Sequence, residues 1–398
     1  MLQPSFPIVR MKPKTKSQVI RHGFPWVYDN EIVTDRRTKG LASGAIAVLE
    51  DAERKPIALV AVNPNSKIFC RVLDRDLDAD IDQSWFEARL TKALAMRERI
   101  YDAPFYRLCH AESDGLPGVV IDRFGDVAVV QPNAAWADAR MDTLSAALIK
   151  VTGVSIVIMN GTGRARTLEG LEETTKVLVG EAPLSPIPVP MNGATYMADL
   201  MGGQKTGLFY DQRPNHAFAA MLARDTKVLD VFSHVGGFAL ASLAGGAASA
   251  LSVDGSAAAL ALAEEGARHS GFADRFQTRK GDAFATLEAL AEEGEKFDVV
   301  ICDPPAFAPN KKSLEAGLRA YERIARLAAP LVNEGGYLVL CSCSHAADLQ
   351  KFRTSSARGI GRAGRTAQLI HTGFAGPDHP LLPQLAESGY LKSLFFRL

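Results

Sequence analysis

Two short segments of this 398-residue chain carry side chains suited to bond-making chemistry. They are Asp303-Pro304-Pro305 and, about forty residues later, Cys341-Ser342-Cys343-Ser344-His345, each at the end of an apolar run of strand character. The first offers a carboxylate on a turn that two prolines stiffen, since proline fixes its own φ and restricts the residue before it. The second offers a thiol, whose reactive thiolate fraction can be raised by its surroundings. A thiol able to add to a pyrimidine ring, with a carboxylate to hold that ring, is the starting set for covalent catalysis on a nucleic-acid base.

Such a pair must be positioned, and the surrounding pattern supplies the means. From residue 227 onward, strand-like runs at 228–231, 248–253, 276–279, 297–301 and 337–341 alternate with helical periods at 237–244, 256–269, 283–293 and 314–331. That alternation predicts an open α/β sheet, in which ligands sit at the carboxyl ends of the strands. Asp230 falls in the first strand, followed by Phe232-Ser233-His234-Val235-Gly236-Gly237 turning into a helix; Asp254 ends the second, and Asp282 follows the third. A Gly-Gly turn also suits plain strand-to-helix geometry, and each acid alone suits a helix cap. Three acids at consecutive strand ends, without a phosphate-binding G-K-[ST], suit S-adenosylmethionine.

Upstream, residues 8–11, 45–49, 57–62 and 68–73 form short strand-like runs between turns, a small β-rich module over 1–75. A helical period over 83–100 links it to a second module, predicted as strands at 119–122, 127–131, 155–159 and 175–179 around a helix at 135–149, which closes near 182. Four prolines within 183–190 predict an extended linker into the third domain, 183–398.

Composition excludes several classes. The chain is 47% apolar and 23% charged, as globular proteins are, and no long charge-free apolar run predicts a membrane span. Five cysteines, three of them within 302–343, predict reduced thiols, and the N-terminus lacks the pattern of a signal peptide, so the cytoplasm is expected. No metal site is expected, because tetrahedral zinc needs about four convergent ligands. Net charge is 0, but residues 1–40 hold eight Lys/Arg against three acids; Lys12, Lys14, Lys16 and Arg21 there are candidates for contact with a nucleic-acid backbone. The acid-free run 351–365 could guide RNA or form a solvated helix face.

Taken together, Gly203-Gln204-Lys205-Thr206-Gly207-Leu208-Phe209-Tyr210-Asp211-Gln212-Arg213, Asp303-Pro304-Pro305-Ala306-Phe307 and Ser342-Cys343-Ser344 resemble a known family. With His22-Gly23-Phe24-Pro25-Trp26-Val27-Tyr28 and Asp114-Gly115-Leu116-Pro117-Gly118, the resemblance spans nearly the whole chain. The family is that of the bacterial S-adenosylmethionine-dependent 23S ribosomal RNA 5-methylcytosine methyltransferases. It implies a PUA domain, a small central α/β domain and a Rossmann-like class I methyltransferase domain, with ribosomal RNA as partner, neither metal nor membrane, and a homodimer left open. It further implies Cys343 as nucleophile and Asp303 beside the methyl group. Asp230, Phe232, Ser233, Gly236 and Gly237 would take the methionine end of the cofactor, Asp254 the ribose and Asp282 the adenine side. Lys205 and Arg213 would lie on an entry loop beside the substrate.

The chain departs from the family at Ser233-His234-Val235 and at Asn215-His216, and its Asp-Pro-Pro-Ala turn lacks the second cysteine of related two-cysteine enzymes, so a one-cysteine mechanism is expected. In it, Asp303 would hold the base, Pro304 and Pro305 would position it, and Phe307 would stack on a base drawn out of its helix. Against this stand ordinary core packing for Phe307, surface ion pairing for Lys205 and Arg213, and an inert thiol for Cys343. Two other functions fit the same residues: methylation of a base nitrogen, which needs no thiol, and RNA binding or ribosome assembly on a non-catalytic fold.

Overall fold

The computed structural model describes residues 6–202 and 207–398, and it divides into two compact units. One runs to Pro183 and is rejoined by Pro377–Ser388; the other comprises Leu184–Gly376 and Gly389–Leu398.

The first unit holds two five-stranded sheets. In the N-terminal one, strands Ala45–Glu50, Pro56–Val62 and Ile68–Asp74 form an antiparallel meander, flanked by Ile8–Arg10 and Trp26–Tyr28, over a core that includes Val9, Val27, Leu49, Val60 and Phe69. The second runs from Phe105–His110 at one edge to Thr174–Val179 at the other, with helices Gln83–Glu98 and Met141–Thr152 against it. Asp82 starts the first of these helices by accepting the Trp85 N–H, and the helix predicted at 135–149 is broken into Ala135–Asp138 and Met141–Thr152. The returning segment is tied to this unit through Asp378, whose carbonyl accepts from Arg97 at 2.8 Å and whose carboxylate accepts the Arg107 N–H at 3.0 Å.

The second unit is built on seven strands: β1 (Lys227–Val231), β2 (Ser249–Asp254), β3 (Phe276–Lys280), β4 (Phe297–Cys302), β5 (Val332–Ser342), β6 (Gln368–Gly373) and β7 (Lys392–Arg397). Their spatial order is β3-β2-β1-β4-β5-β7-β6; β7 alone runs antiparallel to its neighbours. The central strands are apolar throughout because a parallel sheet is covered on both faces. Helices α1 (Arg213–Leu222), α2 (Gly237–Ala244), α3 (Ala257–His269), α4 (Ala283–Glu292), α5 (Leu314–Ala328) and α6 (Leu349–Arg362) supply the cover. Leu229, Val300 and Leu338 from the sheet share a core with Leu287 of α4, Ile324 of α5 and Phe352 of α6.

One expectation changes. Only the start of the proline-rich segment is a connection, with the boundary between the units at Pro183–Leu184; Ile187–Met191 pairs with Ala194–Ala198 in a hairpin, with Pro188 and Pro190 on its exposed side, where a two-stranded ribbon tolerates residues without an N–H. Of the two readings of the basic run 351–365, the solvated helix face is the one seen: it lies mostly on α6 with Lys351, Arg353, Arg358 and Arg362 exposed, Arg358 and Arg362 sharing Glu322 and Lys351 pairing with Asp348. No helix is long and apolar enough to cross a membrane, and no group of three or more His, Cys, Asp or Glu could hold a metal among the described residues.

Helices α5 and α6 approach closely at Gly359, where a Cβ would meet the Glu322 carbonyl oxygen and lie 2.7 Å from Ala325 Cβ. Gly→Ala inside a helix normally gains about 1 kcal/mol. At Gly359 the substitution is expected instead to destabilise by about 1–3 kcal/mol through overpacking. Chemical denaturation of Gly359→Ala checks this, and a stabilised variant contradicts the packing.

Candidate active site

Strand order reverses between β1 and β4, leaving a crevice at the strand ends where open α/β sheets take their ligands. A cavity of about 620 Å³ opens there. Its lining includes Asp230, Phe232, Ser233 and Gly237 from the first strand end, Asp254 from the second, Asp303, Pro304 and Pro305 from the fourth and Cys343 from the fifth. Nine of the expected site residues thus meet at one surface.

The β1 turn is strained where it approaches the cavity. Phe232 (φ 63°) and His234 (φ 49°) adopt the left-handed conformation that non-glycine residues rarely accept, followed by Gly236 at 80°. Gly236 shapes the turn without lining the cavity, and at Gly237 a Cβ would lie 2.8 Å from the His216 ring. Asp254 holds the turn by accepting the His234 N–H at 2.9 Å through Oδ2, and the Ser256 N–H at 2.8 Å through Oδ1. Asp230 is 1% exposed; its Oδ2 accepts the Ala239 N–H at 2.9 Å, while Oδ1 is buried with no hydrogen-bond partner. A buried, unsatisfied carboxylate oxygen is costly unless a ligand completes it, and a cationic amino acid moiety would do so.

At the β4 end, Asp303 Oδ2 accepts from Gln212 Nε2 at 2.9 Å. The Gln212 amide is oriented in turn by Asn215, whose Nδ2 donates to Gln212 Oε1 at 2.7 Å and to the Phe374 carbonyl at 3.1 Å. Burial, aided by the nearby charge of Asp211, pushes the Asp303 carboxyl up to about 8; burial likewise pushes Asp230 up to about 7, against the stabilising Ala239 N–H. Asp211 itself accepts from Tyr390 Oη at 2.6 Å, and both residues line the cavity.

Of the five cysteines, only Cys343 is not buried. Strand β5 ends at Ser342, so Cys341 stays in the sheet with its thiol 3.2 Å from Ser393 Oγ, while Cys343 stands beyond the last ladder pair, at the cavity. Its neighbours are pinned by one buried hydroxyl group: Ser342 Oγ donates to Tyr321 Oη at 2.9 Å, and Ser344 Oγ lies 2.7 Å from the same oxygen. Ser344 Oγ also accepts the Ala308 N–H at 2.9 Å, which ties the cysteine loop to the Asp-Pro-Pro loop.

Other expected residues lie elsewhere. The Phe307 ring packs 5.0 Å from Tyr321 and 6.2 Å from Phe284 and does not line the cavity, which is a core position. Asp282 is exposed, caps α4 by accepting the Ala285 N–H at 3.0 Å, and is also outside the lining. Arg213 opens α1 with its guanidinium 5.3 Å from the Tyr210 ring centroid. Lys205 lies outside the described residues. In the first unit, Lys14 and Lys16 are exposed, Lys12 Nζ donates to the Asn30 carbonyl at 2.9 Å, and Arg21 is engaged by Asp51 at 2.8 Å. His345 is exposed, with its ring 5.8 Å from that of Tyr390.

Comparison with known proteins gives a consistent result. A family model for S-adenosylmethionine-dependent methyltransferases matches residues 161–397, and a PUA-like domain model matches 9–75. The chain is 35% identical to the ribosomal RNA large subunit methyltransferase I of Klebsiella pneumoniae subsp. pneumoniae over 404 residues, covering all of both chains. It is 36% identical to the Alteromonas mediterranea protein of the same name over 384 residues, 96% of each chain. Its fold is similar to that of a Streptococcus mutans structure described as a SAM-dependent methyltransferase, with a TM-score of 0.82 at 18% identity over 98% of this chain and 100% of that one.

Asp303 retains a proton in the folded chain from about pH 4 to about 8, a range in which the unfolded chain has released it, so its contribution to stability falls as pH rises through that window. Buried His216, pushed down to about 3, acts oppositely up to about pH 6.5, so the test must be a difference. Asp303→Asn is expected to gain stability over wild type between pH 5 and pH 8.5, on the order of 2 kcal/mol, in urea melts. A pH-independent difference contradicts the assignment.

Proposed function

This chain belongs to the S-adenosylmethionine-dependent methyltransferases, in the ribosomal RNA large subunit methyltransferase I family, and from that premise we propose that it methylates C5 of a cytosine in 23S ribosomal RNA through a covalent bond from Cys343 to C6. The observation that carries this reading is the placement of Cys343, the one cysteine that is not buried, on the same cavity as Asp303.

Bound at the β1–β2 side, S-adenosylmethionine supplies an electrophilic methyl group. Asp230 would hold its amino acid end through the unsatisfied oxygen, and Asp254 its ribose diol. The Phe232–Gly237 turn lets the backbone approach closely without a phosphate cradle. C5 of cytosine is a poor nucleophile until a thiolate adds at C6 and leaves an enamine-like ring. Asp303, held largely protonated at neutral pH, would donate to the ring N3 as negative charge develops there, with Gln212 and Asn215 fixing its orientation. C5 then takes the methyl group as its bond to the sulfonium sulfur breaks; loss of the C5 proton to water in the open cavity and return of the N3 proton to the Asp303 carboxylate restore the double bond and expel the thiolate. Pro304 and Pro305 would set the wall of the base pocket, and the Ser342–Tyr321–Ser344 hydroxyls would fix the thiol against it. The PUA-like module, with Lys12, Lys14 and Lys16 at its surface, would hold the RNA backbone. The cytoplasm is the compartment where ribosomal RNA would meet it.

Labelled methyl transfer to ribosomal RNA that lacks the modification, with the base identified by mass spectrometry, tests the reading. Wild type is expected to form 5-methylcytosine, and Cys343→Ala to lose on the order of a thousandfold or more in rate. A methylated nitrogen, or an active Cys343→Ala, would point to amino-nitrogen chemistry at the same Asp-Pro-Pro turn.

A further inference from the structure

The antiparallel register of β7 against β5 sets Lys392 directly opposite Ser342, the residue before Cys343. Lys392 is 5% exposed. Its Nζ donates to the Ser344 carbonyl at 2.7 Å and to the Ala347 carbonyl at 2.8 Å, bracketing the loop that follows the thiol. Among the described residues no carboxylate lies within ion-pair distance of it. A buried ammonium held by neutral carbonyls alone is expensive, and burial pushes it down to about 8, while Cys343 foremost and then Asp348 favour its charged form. A cation kept in such a place at that cost calls for a use. A buried apolar side chain of similar length would fill the space without it.

We propose that Lys392 is a positioning residue for the nucleophile, clamping the 344–347 loop through its two carbonyl bonds and favouring the thiolate form of Cys343 with its charge. The inference rests on the reading of Cys343 as nucleophile. The same electrostatic attraction that keeps Lys392 protonated must, by reciprocity, keep the thiol deprotonated. Other titratable groups face the pair. Asp348 at the start of α6 is itself paired with Lys351 at 2.6 Å; Tyr321 of α5 is held between Ser342 and Ser344; Asp303 and Tyr390 line the same cavity as the thiol. Lys392 is thus a buried cation beside the thiol loop that is held by backbone carbonyls and forms no ion pair with a carboxylate among the described residues.

The test is the pH dependence of Cys343 alkylation by iodoacetamide in the full-length chain, read by mass spectrometry on the peptide that contains it; the other four cysteines are buried and serve as internal controls. In Lys392→Gln, which keeps a donor for the carbonyls but no charge, the midpoint of the profile is expected to move to higher pH, with alkylation at pH 7 about tenfold slower. Lys392→Arg is expected to stay within about threefold of wild type because it retains the cation. An unmoved midpoint in folded Lys392→Gln, or equal shifts in both variants, overturns the role of the charge. Wild type provides its own check should the variants not fold: the midpoint in the native chain must lie below that of the urea-unfolded chain, and an equal or higher midpoint overturns the proposal. Failure of the underlying reading is seen separately, as methyl transfer that survives Cys343→Ala.

Discussion

Parallel strands deliver their carboxyl ends to one edge, and the rest of the site depends on that constraint. Asp230, Asp254, Asp303 and Cys343 are separated by as many as 113 positions in the chain, yet all line one cavity, because β1, β2, β4 and β5 run the same way and the strand order turns back between β1 and β4. Hydrophobic burial on both faces of the sheet fixes the strands, and the reacting groups follow. Strain at Phe232 and His234 and the unsatisfied oxygen of Asp230 are local costs that this larger burial sustains.

Delivery to one edge leaves ångström-scale placement still to be set, and buried polar contacts do that. Tyr321 holds the serines on either side of Cys343, Ser344 reaches across to Ala308, and Asn215 turns the Gln212 amide so that its donor faces Asp303. Apart from the Asn215–Gln212 bond within the start of α1, each contact joins segments from different elements, so the thiol loop and the carboxylate loop are coupled to each other as well as to the sheet. Such fully partnered networks in a low dielectric rigidify a site more than isolated bonds in water would.

The alternating strands and helices of the second unit were legible because continuous apolar runs punctuated by glycine and acidic caps have few other readings. Asp303 and Cys343 were legible from their place at strand ends. Phe307 and Asp282 were expected at the cavity and lie outside it, since an aromatic after a turn and an acid before a helix read alike whether they meet a ligand or serve as core and cap. Lys392 gave no signal and Asn215 registered only as part of a departure from the family, because their meaning arises from a returning antiparallel strand and from a helix start next to the cavity, contacts made across about 50 to 160 positions of chain. The hairpin at 187–198 was hidden for a different reason: prolines on the exposed side of a ribbon look, in sequence, like a linker.

The central claim is a covalent bond between Cys343 and the substrate ring, and the most direct measurement is to trap it. Ribosomal RNA carrying 5-fluorocytidine, which has no C5 proton to lose, is incubated with wild-type protein and S-adenosylmethionine, and the protein is then digested and analysed by mass spectrometry. A nucleotide attached to the peptide that contains Cys343, with the transferred methyl group on its ring, is expected. A bond to any other residue, or methylation of the unsubstituted RNA with no trapped species from the fluorinated one, would contradict it.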